Sequence, residues 1–408
     1  MNDLTISDHL RPGDMVLIGQ AVAEPPVLVE KFIEAAQSID GLTALCGYTL
    51  SDAWTKIQPL RPAIKAYAAH GALREVGKRG LLDMVPWHYS RIEQLIADGL
   101  MQVDVVLLQV GPADENGYHD LGATVDYAFV AAQSARVVLV EVNANMPRTR
   151  SSRRLHQSQV TASITSDRPL AGSPARPASE VELQVAGHVA SLIRSDATIQ
   201  LGASALADAI ARELHGRSGL RVRSGLVGDW VVDLHEAGAL VDVPGSVVAG
   251  IALGTDRLYS FIEKTAVVDF GPLDELISPD AMARCTPFVS VNSAIEVDLL
   301  GQVNSEVVGG RYVGAVGGQV DFFRATRAST GGLAIVAIAS TSPSGTTRVV
   351  GQLGGPVTSL KSDVDFVVTE WGVADIREAS FAERVDRLIE VADPRHRDAL
   401  RDSRPAWV

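Results

Sequence analysis

Apolar residues in the first part of the chain fall into short, nearly continuous runs separated by longer amphipathic stretches. Met15–Gly19, Val103–Val110 and Ala135–Val142 are rich in leucine and β-branched residues, which is typical of central strands covered on both faces. Between such runs, the apolar positions of Pro25–Ala36 and Tyr89–Asp98 suit helices that pack on a sheet. This alternation predicts an α/β sheet, with ligands expected beyond the carboxyl ends of its strands.

The same pattern returns in the second part of the chain. Val185–Ile193 predicts a helix, Ala197–Leu201 and Gly332–Ala339 predict buried strands, and Phe381–Val391 predicts an amphipathic helix. Gln157–Glu180 has several prolines and no clear periodicity, so it predicts an extended arm or linker. We therefore expect two α/β domains, residues 1–182 and residues 183–408, with the arm at about 150–182.

Two polar loops follow predicted strands. Gly111–Gly122 comes after the strand at Val103–Val110, and Asn143–Arg154 comes after the strand at Ala135–Val142. A surface loop explains the composition of either one, but a position beyond a buried strand also suits a binding role. Four arginines in the second loop form either a solvated cluster or a seat for the phosphates of a ligand: Arg148, Arg150, Arg153 and Arg154.

A further candidate site lies between Thr286 and Phe322. An apolar run ends at Asn292, and a glycine-dense corner, Gly314–Gly318, directly precedes Gln319. Glycines at this density let backbone N–H groups approach a ligand that side chains would exclude. A glycine-rich corner alone also suits a tight turn or close packing.

Eight motifs follow one another from the first predicted strand to the last helix: Arg11–Gln20, Glu24-Pro25, Asp114–Gly122, Glu141–Thr149, Asn292–Asn304, Gly317–Phe322, Thr369–Ala374 and Leu388–Leu400. Through them the sequence resembles the acetyl-CoA hydrolase/CoA-transferase family, in the branch of 4-hydroxybutyrate and acetate CoA-transferases. The resemblance implies two similar open α/β CoA-transferase-type domains with the active site in the cleft between them. It also implies coenzyme A as part of an acyl-CoA substrate, no metal, and a homo-oligomer.

The resemblance assigns roles to residues of both predicted domains. It implies Arg148 as an active-site arginine, with Asn292 and Glu370 as groups in contact with the substrate. Ala203, in the turn Gly202-Ala203-Ser204, and Gly318 would supply backbone N–H donors to an oxyanion hole. The residues that would hold the coenzyme A thioester are Gly314, Gly317, Gly318 and Gln319.

One departure from the family pattern affects the expected chemistry most. In the family a glutamate attacks the acyl-CoA carbonyl and forms covalent intermediates. The matching position here, within Leu220–Trp230, is Gly225, which has no carboxylate. Three hypotheses stay open: thioester hydrolysis or retro-Claisen C–C cleavage by water, CoA transfer through a surrogate carboxylate, and a CoA-binding pseudoenzyme. The surrogate carboxylates are Asp229, Glu296 and Glu306.

The first hypothesis is favoured because the backbone donors of the oxyanion hole persist without the glutamate. A water acceptor then needs a general base, for which Glu370 and His119 are the leading candidates and Glu115 and Glu24 the weaker ones. An ion pair with Arg148 is the alternative role for Glu370, and such a pair would make it a poorer base.

The composition and charge of the chain indicate which classes of protein fit this sequence. The 408 residues are 46% hydrophobic and 21% charged, enough for a large core. A net charge of −13 with no long Lys/Arg run argues against nucleic-acid and anionic-membrane partners. The two cysteines, Cys46 and Cys285, lie in apolar or neutral contexts and predict buried free thiols. A polar N-terminus and the lack of an apolar run of about 20 residues predict a cytoplasmic protein.

Overall fold

The structure, a computed structural model, describes residues 4–59 and 61–408. It contains two compact units, each assembled from three segments of the chain. Unit 1 comprises Met1–Ser173, Val248–Asp274 and Val313–Gly317, and unit 2 comprises Pro174–Val247, Glu275–Tyr312 and Gly318–Val408. The division predicted near residue 182 lies close to the first change of unit. The two later returns of the chain to unit 1 were not part of that prediction.

The described residues up to 173 form ten strands and four α-helices. These are β1 Met15–Ile18, α1 Pro26–Ala35, β2 Thr43–Cys46, β3 Ala63–Ala66, α2 Leu73–Lys78, β4 Leu82–Met84, α3 Tyr89–Ala97, β5 Val105–Val110, β6 Tyr118–Asp120, α4 Tyr127–Ser134, β7 Val137–Asn143, β8 Arg150–Ser151, β9 Arg154–His156 and β10 Ala162–Ser166.

Unit 1 is built on a seven-stranded sheet in the order β10-β7-β5-β1-β2-β3-β4, in which every pairing is parallel. All six residues of β5 are buried, as expected for a central strand with both faces covered. The core on one face contains the fully buried Phe32 of α1 together with Leu107 of β5 and Ile18 of β1. The predicted α/β class is confirmed.

The predicted arm contains a strand that the sequence pattern did not indicate. Ala162–Ser166 pairs in parallel with β7, from Ala162 opposite Leu139 to Ser166 opposite Asn143. Ile164 is its one buried residue, because the strand lies at the edge of the sheet. An edge strand with a single buried side chain gives no periodic signal, so the sequence pattern indicates only an extended arm here.

From residue 180 onward the elements are α5 Glu180–Ser191, β11 Thr198–Gln200, α6 Ala205–Glu213, β12 Arg221–Val227, α7 Trp230–Glu236, β13 Val247–Ala252, α8 Asp256–Lys264, β14 Val268–Phe270, α9 Leu273–Leu276, α10 Pro279–Ala283, β15 Phe288–Asn292, β16 Glu296–Asp298, β17 Val303–Asn304, β18 Val307–Val308, β19 Arg311–Tyr312, α11 Gln319–Ala325, β20 Leu333–Ala337, β21 Val349–Val350, β22 Phe366–Thr369, β23 Gly372–Asp375, α12 Phe381–Glu390 and α13 Arg397–Asp402.

The main sheet of unit 2 runs in the order β23-β22-β20-β15-β11-β12. Its strands pair in parallel except β23, which forms an antiparallel hairpin with β22. A smaller sheet, β17-β16-β21, and the helix α12 pack in one hydrophobic core. The sheet contributes Val297 and Val349 to this core, and the helix contributes Val385 and Leu388. The carboxyl ends of β11, β15, β20 and β22 therefore lie at one edge of the sheet of unit 2.

Two kinds of feature are absent from the part of the chain that the structure describes. Among the residues that the structure describes, no helix combines the length and the apolar character needed to cross a bilayer. Within residues 4–59 and 61–408, no group of three or more His, Cys, Asp and Glu side chains is arranged to hold a metal ion. Cys46 and Cys285 are buried free thiols.

Candidate functional site

Asn292 ends strand β15 in unit 2, and its side chain belongs to a hydrogen-bonded polar cluster. Its Nδ2 donates to Gln200 Oε1 at 2.9 Å and to Ser290 Oγ at 3.0 Å, and Ser290 Oγ donates to Gln200 Oε1 at 2.6 Å. Gln200 ends the neighbouring strand β11. An amide nitrogen has only two hydrogens, so both are used inside the protein and the carbonyl oxygen Oδ1 is the atom of Asn292 suited to a ligand.

Glu370 follows β22 at the same edge of the sheet and is half-buried. Ser340, which follows β20, holds both carboxylate oxygens. Its backbone N–H donates to Oε2 at 2.8 Å and its hydroxyl donates to Oε1 at 2.6 Å. The indole N–H of Trp371 donates in turn to the Ser340 hydroxyl at 3.1 Å. These contacts fix the direction in which the carboxylate points, as an acid–base group requires.

Gly225 lies in β12, two strands from β15. A Cβ atom built on it would meet Phe322 at 3.4 and 3.6 Å, which is ordinary van der Waals contact. The preceding Ser224 is fully buried and its hydroxyl lies 2.6 Å from the carbonyl oxygen of Leu201. Packing therefore does not require glycine at position 225.

Ala203 is exposed in the turn that joins β11 to α6. The turn is fixed on both sides of this residue. Trp230 Nε1 donates to the carbonyl oxygen of Gly202 at 2.9 Å, and Ser204 caps α6 by accepting from the Ala207 N–H at 3.2 Å. The backbone at Ala203 is thus held in one conformation, which an oxyanion donor needs.

The glycine corner changes unit at Gly317. Gly314 and Gly317 belong to unit 1, where their carbonyl oxygens accept from the N–H groups of Ala69 at 3.1 Å and Tyr89 at 2.9 Å. Gly317 has a φ of +56°, a conformation that favours glycine. Gly318 begins α11 in unit 2 as its N-cap residue.

Gln319 contacts three other parts of unit 2 instead of presenting a free amide. Its Nε2 donates to the Ser293 carbonyl at 3.0 Å, and its Oε1 accepts from Ser305 at 3.1 Å and Ser359 at 2.9 Å. The side chain is buried. It therefore braces the loop after Asn292, and its predicted role in holding coenzyme A stays a prediction.

His119 and Arg148 lie in unit 1. His119 is buried, with Nδ1 2.7 Å from the carbonyl oxygen of Gly111, so Nδ1 carries the hydrogen and Nε2 is the basic nitrogen of the neutral ring. Arg148 is exposed. Two other arginines of the loop are paired with carboxylates: Arg150 with Asp269 at 2.7 Å, and Arg154 with Asp114 at 2.9 Å and Asp120 at 2.7 Å.

The surrogate carboxylates of unit 2 are engaged in local structure. Glu296 accepts from Asn304 Nδ2 at 2.8 Å and from the Gly354 N–H at 2.6 Å. Glu306 is buried and accepts from the hydroxyls of Tyr312 at 2.9 Å and Thr358 at 2.7 Å. Asp229 is the N-cap residue of α7. Burial, and to a smaller extent the charge of Asp229, raises the pKa of Asp208 to about 6.

The structure adds a polar cluster in unit 1 that the sequence reasoning missed. Gln20 Nε2 donates to Asp126 Oδ2 at 2.5 Å and to the Tyr89 hydroxyl at 2.8 Å, and Gln20 Oε1 accepts from the Tyr67 hydroxyl at 2.5 Å. Burial raises the pKa of Asp126 to about 6. The rings of Tyr67, Tyr89 and Tyr127 pack together. Gln20 ends the motif Arg11–Gln20, but no spacing in the sequence links it to residues 67–127.

Glu24, a weaker base candidate, is buried and fully occupied. Its Oε1 accepts from Trp54 Nε1 at 2.6 Å, and its Oε2 accepts from the N–H of Ser51 at 3.0 Å and from the N–H of Leu50. Burial raises the pKa of this carboxyl to about 7, against the opposing effect of the three donors. Glu24 thus holds the loop after β2. Glu115, the other weaker candidate, is exposed.

Comparison with known proteins identifies the family to which the chain belongs. The family model described as acetyl-CoA hydrolase/transferase N-terminal domain matches residues 4–168, and that of the C-terminal domain matches residues 254–404. The chain belongs to the acetyl-CoA hydrolase/transferase family. The 4-hydroxybutyrate coenzyme A transferase of Clostridium kluyveri is 33% identical over 97% of this chain and 94% of its own length.

Other members of the family extend the range of similar proteins. The crystal structure of RipA from Yersinia pestis superposes with a TM-score of 0.89 at 28% identity, over 98% of this chain and 95% of that one. The acetyl-CoA hydrolase of Neurospora crassa is 24% identical over 76% of this chain and 66% of its own length. Both transferases and hydrolases are therefore similar to this chain.

Proposed function

We propose that the chain is an enzyme that hydrolyses an acyl-CoA thioester with water as the acceptor. The observation that carries the proposal is Gly225: the family resemblance places the nucleophilic glutamate there, and a Cβ atom at this position would make only ordinary contacts, yet no side chain is present. The relatives' names support an acyl-CoA substrate and include both transfer and hydrolysis. Without a covalent carboxylate, water is the simplest acceptor.

A surrogate carboxylate is the less favoured alternative. Glu296 and Glu306 each accept two hydrogen bonds inside unit 2, so attack by either would leave donors without a partner. Asp229 starts from a backbone position at the N-cap of α7, beyond the end of β12. A pseudoenzyme is also less favoured, because Glu370 remains oriented by Ser340.

The proposed mechanism uses Glu370 as the general base. Its carboxylate takes a proton from water, and the resulting hydroxide attacks the thioester carbonyl carbon. The N–H groups of Ala203 and Gly318 would stabilise the developing oxyanion, an effect worth about 3–4 kcal/mol for such donors. The C–S bond then breaks, and the thiolate of coenzyme A receives the proton from Glu370. Asn292 Oδ1 would accept a hydrogen bond from the attacking water.

His119 and Arg148, both in unit 1, keep the roles that the sequence suggests for them. His119 Nε2 is the second candidate for the base, since Nδ1 is committed to the Gly111 carbonyl. The exposed guanidinium of Arg148 suits an anionic part of the substrate, either a phosphate of coenzyme A or a carboxylate. Retro-Claisen cleavage would use the same base, with water adding to a ketone carbon of the acyl group. A C–C bond would then break instead of the C–S bond, and the carbon of the leaving enolate would receive the proton held by Glu370.

A thioester panel tests the proposal. Acetyl-, butyryl-, succinyl- and 4-hydroxybutyryl-CoA are incubated with the protein, with and without acetate, while free thiol is measured and product masses are followed. We expect thiol release that does not depend on acetate. Transfer of coenzyme A to acetate without free thiol would identify a transferase, and binding of coenzyme A without any product would identify a pseudoenzyme.

Three protein variants sharpen this test. Glu370→Gln should lower kcat by about 100-fold or more if Glu370 is the base, whereas His119→Gln should then have the smaller effect. Gly225→Glu should introduce a transferase step, seen as a borohydride-sensitive acyl or CoA adduct on residue 225. An adduct on any residue of the unmodified protein would contradict the water acceptor. Light scattering tests the homo-oligomer that the resemblance implies.

A further inference from the structure

A short hairpin in unit 2, Ser340 to Arg348, connects two parts of the candidate site. Its ends are joined by the hydrogen bond from the Arg348 N–H to the Ser340 carbonyl at 2.8 Å and by the antiparallel bridge between Thr341 and Thr347. The tip is closed by Gly345, whose φ is +82°. We call this segment the 340–348 hairpin. Its two ends therefore keep a fixed separation.

The Ser340 end of the hairpin holds Glu370. Ser340 has no exposed surface and donates two hydrogen bonds to the carboxylate, one from its backbone and one from its hydroxyl. The Arg348 end holds the loop after Asn292. Its Nε donates to the Ile295 carbonyl at 2.8 Å and its Nη2 to the Ala294 carbonyl at 2.7 Å. A guanidinium fork suits two successive acceptors because its donors are planar and fixed.

The charge of Arg348 also acts on Glu370. Burial lowers the pKa of the Arg348 guanidinium, and the carboxylate of Glu370 opposes this effect. Arg348, which is half-buried, thus reaches both Glu370 and the loop that begins at Asn292, and no spacing in the sequence indicates this. The sequence instead suggests Arg148 as the partner of Glu370.

We infer that Arg348 is a positioning residue that sets the geometry between the Glu370 carboxylate and the Asn292 loop. This inference rests on the proposed function, in which Glu370 takes a proton from water beside Asn292. Arg348 does not itself contact the reacting atoms. Beside the end of β22 lies His188 of α5, whose Nδ1 is 2.9 Å from the Thr369 carbonyl oxygen.

Kinetics on the most readily cleaved thioester give the first test. Arg348→Met removes both the fork and the charge, and we expect kcat to fall about 10- to 100-fold while KM changes much less, because the defect is one of alignment. Arg348→Lys keeps the charge and should recover part of the loss. Arg401→Met, which removes an exposed arginine paired with Asp398 on α13, is the matched control. Equal losses in the Met and Lys variants would reduce Arg348 to a structural role.

A second measurement does not depend on turnover. Trp371 is 48% exposed and donates to the Ser340 hydroxyl, so its fluorescence should respond to the position of the Ser340 end of the hairpin. The emission spectrum of the protein at one pH, minus that of Trp371→Phe, isolates this signal. We expect the emission maximum to shift in Arg348→Met, because loss of the guanidinium fork releases the hairpin from the Ala294 and Ile295 carbonyls. Ser340→Ala, which removes the hydroxyl that Trp371 contacts, is the positive control and should shift it as well.

The outcomes of the two measurements are separable. A shifted emission maximum in Arg348→Met and Ser340→Ala, with none in Arg401→Met, supports the inference. The lack of a shift in Arg348→Met overturns it, whether or not the unmodified protein hydrolyses thioesters. A shifted emission maximum in a protein that releases no thiol from any thioester overturns the proposed function and leaves the positioning role of Arg348 standing.

Discussion

Gly47 directly follows a strand of unit 1 and Gly225 lies within a strand of unit 2, and their surroundings differ. Gly47 directly follows β2 of unit 1, and a Cβ atom there would collide with Gln20 Oε1 and lie 2.6 Å from the Tyr127 hydroxyl and 2.9 Å from the ring of Tyr67. A Cβ atom at Gly225 in β12 of unit 2 would meet only the ring of Phe322, at 3.4 Å and beyond. The first glycine is required by packing and the second is not.

This difference separates two reasons for a glycine near a candidate site. At Gly47 the lack of a side chain allows the buried cluster of Gln20, Asp126 and the tyrosines to close on itself. At Gly225 no neighbouring atom excludes a Cβ atom, so packing does not explain the glycine and a chemical reason is the alternative. The Gln20 cluster of unit 1 is thus a buried polar network, whereas Glu370 and Asn292 of unit 2 are half-buried.

The largest expected effect concerns the buried acids of unit 1. The pKa of Glu24 is raised from 4.5 to about 7, so between these values the unfolded chain loses a proton that the folded protein keeps. The contribution of Glu24 to the free energy of unfolding therefore falls by on the order of 3 kcal/mol as pH rises from about 4.5 to 7. This contribution is constant above and below that window. Asp126, raised to about 6, adds to the lower part of the same trend.

Urea denaturation at pH 5, 6 and 7 measures this trend. Glu24→Gln should flatten the dependence on pH, although it lowers stability at every pH because its amide nitrogen would face the donors of Leu50, Ser51 or Trp54. Acids with lowered pKa values, such as Glu182 and Asp393, both at about 2, lose their contribution only at more acidic pH. An unchanged slope in Glu24→Gln would contradict the assignment.

Gly47→Ala should come next, with a loss of about 2–3 kcal/mol in the free energy of unfolding. The added methyl group displaces the Gln20 amide or the Tyr127 hydroxyl from the cluster. Denaturant unfolding provides the value. Gly187→Ala, in the interior of α5 where a Cβ atom meets nothing within 4 Å, is the matched control and should be neutral or stabilising. A tolerated Gly47→Ala would remove the distinction between the two glycines.

Tyr67→Phe should lower the free energy of unfolding by about 1–2 kcal/mol. It removes the hydroxyl that donates to Gln20 Oε1, while the Tyr48 N–H still donates to the same oxygen at 3.2 Å. Tyr118→Phe, at a residue that is 40% exposed, is the control and should change stability by less than about 0.5 kcal/mol. If both variants behave alike, the cluster of unit 1 does not stabilise the fold.

Gly225→Ala should have the smallest effect, a change of at most about 1 kcal/mol that favours the folded state. Alanine restricts the unfolded chain, and its methyl group has ordinary contact with Phe322. The same thermal or urea unfolding experiment measures it. A strong destabilisation would mean that position 225 is glycine for packing reasons, which would remove the main support for a lost nucleophile.

Local sequence predicted much of the fold. Val103–Val110 and Phe381–Val391 were predicted as a buried strand and an amphipathic helix, and the structure has β5 at Val105–Val110 and α12 at Phe381–Glu390. Ala162–Ser166 escaped prediction because its strand conformation depends on pairing with β7 rather than on its own pattern. Arg348 and Gln20 escaped for a similar reason: each is distant in sequence from the groups that it contacts.

The sequence by itself determined the α/β class, the order of the motifs and the lack of a carboxylate at position 225, because these depend on local periodicity and residue identity. Only the tertiary structure decided which polar groups are already occupied and which glycine is crowded. Hydrogen bonds between distant residues, such as Ser340 with Glu370 and Gln20 with Asp126, exist only after the strands that carry them have paired. Burial then sets the charge of Glu24 and Asp126, since desolvation has no counterpart in a linear chain.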